Sequence, residues 1–253
     1  MEVRYHRPGR RKKPGNLKWL MYILSVLLLW LTIFFFMQSS FFVVSSIKVN
    51  GLNSFSPEEI IELSGLVKGT NIFQVDISQA EEKIKTNSII KEAVVKRKLP
   101  QTLVINVQER TPLVLIPVEG GFLQVDSQGY ILKKQNEIGR NPIPIITGIE
   151  LPGTPSIGKL LKSDKLQLAL KIVSQMDTGS KDIVAEIEVK DSQNIKAFTV
   201  QGIEVRLGDS EEFLDKLKKF LIVLNQEKKH NNLNKIKYID VSFAGKPVIL
   251  YKN

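Results

Sequence analysis

From Trp19 to Ile47 the chain carries no charged side chain, and the eighteen residues before Trp19 hold seven basic ones against a single acid, Glu2. The core of that run, residues 19–37, would span roughly 28 Å as a helix, close to the hydrocarbon thickness of a bilayer. No charged residue interrupts it to give a water-facing side. The run is longer than the apolar region of a signal peptide, and Gln38-Ser39-Ser40-Phe41-Phe42 lacks an A-x-A-like cleavage site, so it reads as an uncleaved anchor. Lys48 is the first basic residue beyond the span. The positive-inside rule therefore keeps residues 1–18 in the cytoplasm and places the rest of the chain outside the membrane, a single-pass type II arrangement. The basic tail sets topology and touches anionic lipid; with one aromatic it gives no ground for nucleic-acid binding.

Beyond the span the pattern is strand, helix, helix, strand, strand. Residues 41–49 are rich in Phe, Val and Ile and end at Asn50-Gly51. Ser56-Pro57-Glu58-Glu59 is a helix start, with Ile60, Ile61 and Leu63 as the buried face and Gly65 as the stop. Ser78-Gln79-Ala80-Glu81 reads as a second capping box, with Ala80 and Ile84 facing inward. Strands at 93–98 and 102–108 flank Leu99-Pro100-Gln101. A small sheet covered by two helices accounts for all five elements.

The chain then becomes more β-rich. Strands are expected at 114–117, 121–125 and 130–133, the last two separated by the turn Asp126-Ser127-Gln128-Gly129. In the Pro- and Gly-rich connection that follows, Ile143, Ile145 and Ile146 need burial. A helix over 163–176 gathers Leu166, Leu170 and Val173 on one face. Ile183, Ala185, Ile187 and Val189 form one face of a strand, and Ile203, Val205 and Leu207 one face of the next. Asp209-Ser210-Glu211-Glu212 reads as the cap of the most amphipathic helix, with Phe213, Leu214, Leu217, Phe220, Leu221 and Leu224 as core. Two strands, 235–243 and 247–251, close the chain; Ile239, Val241 and Phe243 oppose Tyr238, Asp240 and Ser242.

The chemistry available is narrow. The absence of Cys removes thiolate nucleophiles and Cys-based metal sites, and His6 and His230 are the only histidines. Phosphate-binding and hydrolase motifs are missing, so no enzyme activity, cofactor or metal is expected.

Four features together resemble the FtsQ/DivIB family of bacterial cell-division proteins. They are the basic tail with one span; Ile47-Lys48-Val49-Asn50-Gly51-Leu52 ahead of Ser56-Pro57-Glu58-Glu59-Ile60; Arg97-Lys98-Leu99-Pro100-Gln101-Thr102-Leu103 running on to Glu109-Arg110-Thr111-Pro112; and Val125-Asp126 followed by Gly129. Tyr238-Ile239-Asp240-Val241-Ser242 is similar to the family's closing strand. The resemblance implies an α+β chain: a cytoplasmic tail (1–18), a transmembrane helix (19–40), a POTRA-like (polypeptide-transport-associated) β-α-α-β-β domain (41–110) and a larger β-rich α+β domain (111–253). It further implies a non-enzymatic role at the division septum, binding FtsB/DivIC-type and FtsL-type single-pass proteins that regulate septal peptidoglycan synthesis. The POTRA part is tied in the family to recruitment, and the end of the β domain to FtsB binding by strand addition. The alternative is a POTRA-bearing component of an envelope transport or assembly system that binds extended polypeptide.

Two candidate partner surfaces follow. Tyr238, Asp240 and Ser242 lie opposite the core-type residues of the C-terminal strand and could select an added strand, if that strand is a sheet edge. Lys96, Arg97 and Lys98 are either a solvated strand end or a contact with headgroups or an acidic partner near the membrane.

Overall fold

The computed structural model describes residues 16–139, 143–151 and 153–252. The arginines and lysines from Arg4 to Lys13 lie outside the described residues. Helix α1 (Asn16–Met37) is the apolar segment, and its Lys18–Met37 portion is long and apolar enough to cross a membrane. A 3-10 turn over Ser40–Phe42 follows it. The next unit comprises β1 (Ser46–Asn50), α2 (Pro57–Ser64), α3 (Ile77–Lys85), β2 (Ile90–Lys98) and β3 (Thr102–Glu109). The strands form a sheet in the order β1-β3-β2, with β1 parallel and β2 antiparallel to the central β3. Ile60, Ala80 and Ile84 of the two helices pack on Ala93, Val95, Ile105 and Val107, so one sheet face is covered and the other is open. The α2 start forms the expected reciprocal box: Ser56 Oγ accepts from Glu59 N at 3.3 Å and Glu59 Oε2 from Ser56 N at 2.7 Å. Gly65 ends the helix at φ +67°, a conformation favouring glycine.

The second unit runs β4 (Pro112–Val118), β5 (Gly121–Asp126), β6 (Ile131–Gln135), β7 (Ile145–Thr147), α4 (Asp164–Gln175), α5 (Thr178–Ile183), β8 (Val184–Val189), β9 (Ile195–Thr199), β10 (Glu204–Gly208), α6 (Phe213–Lys229), β11 (Ile236–Asp240) and β12 (Val248–Tyr251). Among the described residues these strands form one nine-stranded sheet, ordered β12-β11-β10-β9-β8-β7-β4-β5-β6. Neighbours joined by short turns are antiparallel. Of the parallel pairs, β7–β8 and β10–β11 are joined through α4–α5 and α6, and β4–β7 by way of β5 and β6, because a parallel neighbour is reached only by a crossover. Leu166, Leu170 and Val173 of α4, with Phe213, Leu217, Phe220 and Leu224 of α6, bury the same face of this sheet.

Several sequence expectations need correction. Residues 41–49 are not one strand: Phe41 and Phe42 turn back onto Phe36 with ring centroids 5.8 and 5.3 Å away, so the strand of the small sheet starts only at Ser46. The second capping box is absent, since Asp76 caps α3 by accepting from Gln79 N at 2.9 Å. Asp209 does not cap α6; it takes the Lys216 ammonium, and Glu212 stands at the cap position without a side-chain bond. Leu214 is 46% exposed, on the outer side of α6. Ile183 ends α5, and a register shift after Val184 buries Val184 and Ile187 while leaving Ala185 half-buried. The strand at 235–243 stops at Asp240, so Phe243 escapes the core and is 43% exposed.

Candidate partner-binding surface

The C-terminal end of the large sheet decides what Tyr238, Asp240 and Ser242 can do. Strand β11 is internal: Tyr238 pairs with Glu204 on one side and Leu250 on the other, and Asp240 with Arg206 and Val248. The edge is β12, whose Val248, Leu250 and Tyr251 are exposed. Ser242 lies outside any strand, and its N–H and hydroxyl both donate to Asp240 Oδ1, at 3.0 and 2.6 Å. Its N–H is therefore not an edge donor. The expectation that the Tyr238-to-Ser242 strand is the open edge is replaced by β12, one strand further out.

Pairing rows place side chains on the outward face beside that edge. Lys196, Arg206, Asp240 and Val248 form one row; Phe198, Glu204, Tyr238 and Leu250 form the next. Arg206 lies 3.7 Å over the Tyr238 ring centroid and donates to Glu204 Oε1 at 3.0 Å, while Lys196 Nζ stands 3.1 Å from the same oxygen. Burial pushes the Glu204 carboxyl up, but hydrogen bonds from Arg206 and Lys196 outweigh it and hold the group below its ordinary value. The bond to Glu204 raises the Arg206 guanidinium. A groove of about 320 Å³ opens alongside, lined by Asn194, Lys196, Arg206, Asp209, Asp240 and Ser242. Chemically this is a polar ledge beside an apolar strand edge, with no nucleophile–base pair. Among the described residues no cluster of His, Asp or Glu is placed to hold a metal ion.

The basic stretch divides. In a strand, neighbouring side chains face opposite ways, so Lys96 and Lys98 point to the open face of the small sheet and Arg97 to the other. Arg97 Nε donates to Ile72 O at 2.7 Å and Nη2 to Val75 O at 2.6 Å, clamping the loop before α3.

Residues 42–110 match the family model for the POTRA domain, FtsQ-type, and residues 114–242 the model for cell division protein FtsQ/DivIB, C-terminal. The chain belongs to the FtsQ/DivIB family of cell-division proteins. Cell division protein DivIB of Clostridium botulinum strain Hall is 30% identical over 94% of this chain and 93% of its own. DivIB of Clostridium tetani is 29% identical over 90% and 86%, and cell division protein FtsQ of Syntrophotalea carbinolica 29% over 83% and 74%. A solved structure of the major extracytoplasmic domain of DivIB from Geobacillus stearothermophilus aligns with 48% of this chain and 97% of that one, at 13% identity and a TM-score of 0.35. Membership of FtsQ/DivIB gives the chain a role in the divisome and suggests membrane partners there.

Proposed function

We propose that this FtsQ/DivIB chain is a non-enzymatic divisome scaffold whose β12 edge takes up a strand from an FtsB/DivIC-type protein. In this reading α1 lies in the cell membrane with the N-terminus in the cytoplasm, and the chain is enriched at the septum. The parts are the tail 1–18, the span 19–40, the POTRA unit 41–110 and the β unit 111–253. Recruitment of the FtsB/DivIC-type and FtsL-type pair brings septal peptidoglycan synthesis under its control. The mechanism is mass action, since confinement to one membrane raises the local concentration of partners that bind weakly at several points.

The observation that carries this reading is the β12 edge. An unpaired strand offers main-chain donors and acceptors to an incoming chain, and its alternate side chains select the partner. Val248 and Leu250 would meet one side of the added strand, with Tyr238 and Asp240 a strand further in, and Phe243 exposed at the hairpin before β12. The transport alternative needs an open POTRA edge for extended polypeptide. At the edge strand β2, Val95 N already donates to Glu81 Oε1 at 2.8 Å, so that edge is partly occupied from within.

Calorimetric titration of the full-length protein in nanodiscs with the exported part of an FtsB/DivIC-type protein, alone and with its FtsL-type partner, tests the proposal. Successive N–H groups of a strand point to opposite sides, so of Ile249→Pro and Leu250→Pro one removes an outward donor and the other a bond to β11. Saturable binding that the outward proline abolishes, with thermal stability retained, is expected. Undiminished binding in both variants would rule out strand addition at β12.

A further inference from the structure

The end of the small sheet next to α1 carries charged and apolar side chains that neither core uses. Asn71 Nδ2 donates to Met37 O at the end of α1, at 2.8 Å, and Phe42 stands between Phe36 and Phe73 at centroid distances of 5.3 and 5.0 Å. Just beyond, Val44 O accepts from Gly69 N and Val44 N donates to Thr70 O, both at 2.9 Å. Ser45 N donates to Gln101 O in the β2–β3 turn, also at 2.9 Å. Two loops therefore converge where the chain leaves the helix. One presents Val67, 64% exposed, and Lys68; the other presents Lys98 and Leu99, 55% exposed.

Strand register adds a gradient of charge. On the open face of the sheet, Ser46, Thr102 and Lys98 form the row nearest the helix, and Lys48, Val104 and Lys96 the next. Asn50, Asn106 and Val94 follow, then Gln108 and Glu92. The face thus passes from basic through neutral to acidic with distance from α1. Asp76, near this end, is occupied at the start of α3, and Arg97 is turned to the opposite face.

We propose that Val67, Lys68, Lys96, Lys98 and Leu99 form a docking surface for anionic phospholipid headgroups. The two apolar tips enter the interfacial layer and the ammonium groups meet lipid phosphates, so the POTRA unit rests on the bilayer instead of swinging below its anchor. This rests on α1 lying in the membrane, as proposed above. A helix in the bilayer delivers both loops to headgroup depth, and the lysines match the charge found there.

The test uses the full-length chain in nanodiscs of phosphatidylcholine alone or of an equal mixture with phosphatidylglycerol. Trp30 quenching by brominated lipid reports the anchor, and lysine acetylation rates read by mass spectrometry report the surface. Lys68, Lys96 and Lys98 should react about threefold to tenfold more slowly in the anionic discs, with high salt restoring the rate and Lys228 and Lys229 unchanged as controls. The double change Val67→Ser and Leu99→Ser should remove most of this protection. Quenched Trp30 with equal lysine rates in both discs would overturn the docking alone. Unquenched Trp30 would overturn the anchor and the docking together. Protection that appears only when a protein partner is added would assign the surface to that protein and overturn the lipid proposal.

Discussion

Arg110, directly after β3, donates from Nη1 to Asp126 Oδ2 at the end of β5, and so ties the POTRA unit to the β unit. The guanidinium also lies 3.9 Å over the Tyr130 ring centroid and reaches Gln128 Oε1 at 3.0 Å. Asp126 is buried and accepts in addition from Gln128 N and Tyr130 N, at 2.9 and 2.8 Å. Removing one partner of a buried pair leaves the other charge uncompensated. Arg110→Ala is expected to cost about 3 kcal/mol, the low end for such pairs because two backbone donors remain on Asp126. Urea unfolding of the full-length protein in detergent measures it, and Arg110→Lys should recover less than half, losing the planar guanidinium that lies over Tyr130.

Acid should loosen the POTRA unit through Glu109. Its carboxylate is buried, which pushes it up, but it accepts from Asn53 N at 2.7 Å and Ser54 N at 3.0 Å, with Phe55 N adding to the effect. The bonds outweigh the burial and hold the group below its ordinary value near 4.5. A depressed carboxylate contributes stability that is present above the unfolded value and lost as pH falls through the folded one. Unfolding free energy should therefore decline below about pH 4.5, and Glu109→Gln should flatten that part of the profile while costing about 1–2 kcal/mol at neutral pH. Hydrogen exchange of residues 53–55 against pH reads the local effect.

Gly51 admits no side chain. Its φ is +84°, and a Cβ there would stand 2.0 Å from Val107 O on the neighbouring strand. Gly51→Ala combines left-handed strain with a backbone clash, and should cost about 2–5 kcal/mol in the same unfolding measurement.

Two leucines of α6 should separate cleanly. Leu217 is buried against the large sheet, whereas Leu214 is on the outer side of the helix. Leu217→Ala should cost about 2–5 kcal/mol and Leu214→Ala less than about 1. Equal losses would mean that Leu214 is covered in the folded protein.

Much of this fold was readable in residue spacing, because local rules act on local sequence. The Ser56–Glu59 box, the Gly65 stop and the α4 stripe needed only neighbours a few positions away. Position within a sheet is a non-local property, and there the expectation that the Tyr238-to-Ser242 strand is an edge failed. The signal was nonetheless present: a helix between two strands implies a parallel neighbour, and the hairpin through Gly245 fills the other flank of β11. The alternation of a strand likewise separates Arg97 from Lys96 and Lys98. The six-residue α5 escaped because it is short, and strand β9 because its alternation is disguised: Thr199 is buried, with a bond from Ile203 N to its Oγ1 at 3.0 Å, while Phe198 is on the other face.

The bond from Asn71 to Met37 and the Phe36–Phe42–Phe73 ring contacts have a mechanical consequence. Turning helix α1 about its own axis against the POTRA sheet would require breaking that bond and separating those rings. Which flank of α1 faces a neighbouring span therefore sets the compass bearing of everything attached beyond it. A protein gripping the helix inside the bilayer would also be choosing the direction in which the rest of the molecule points.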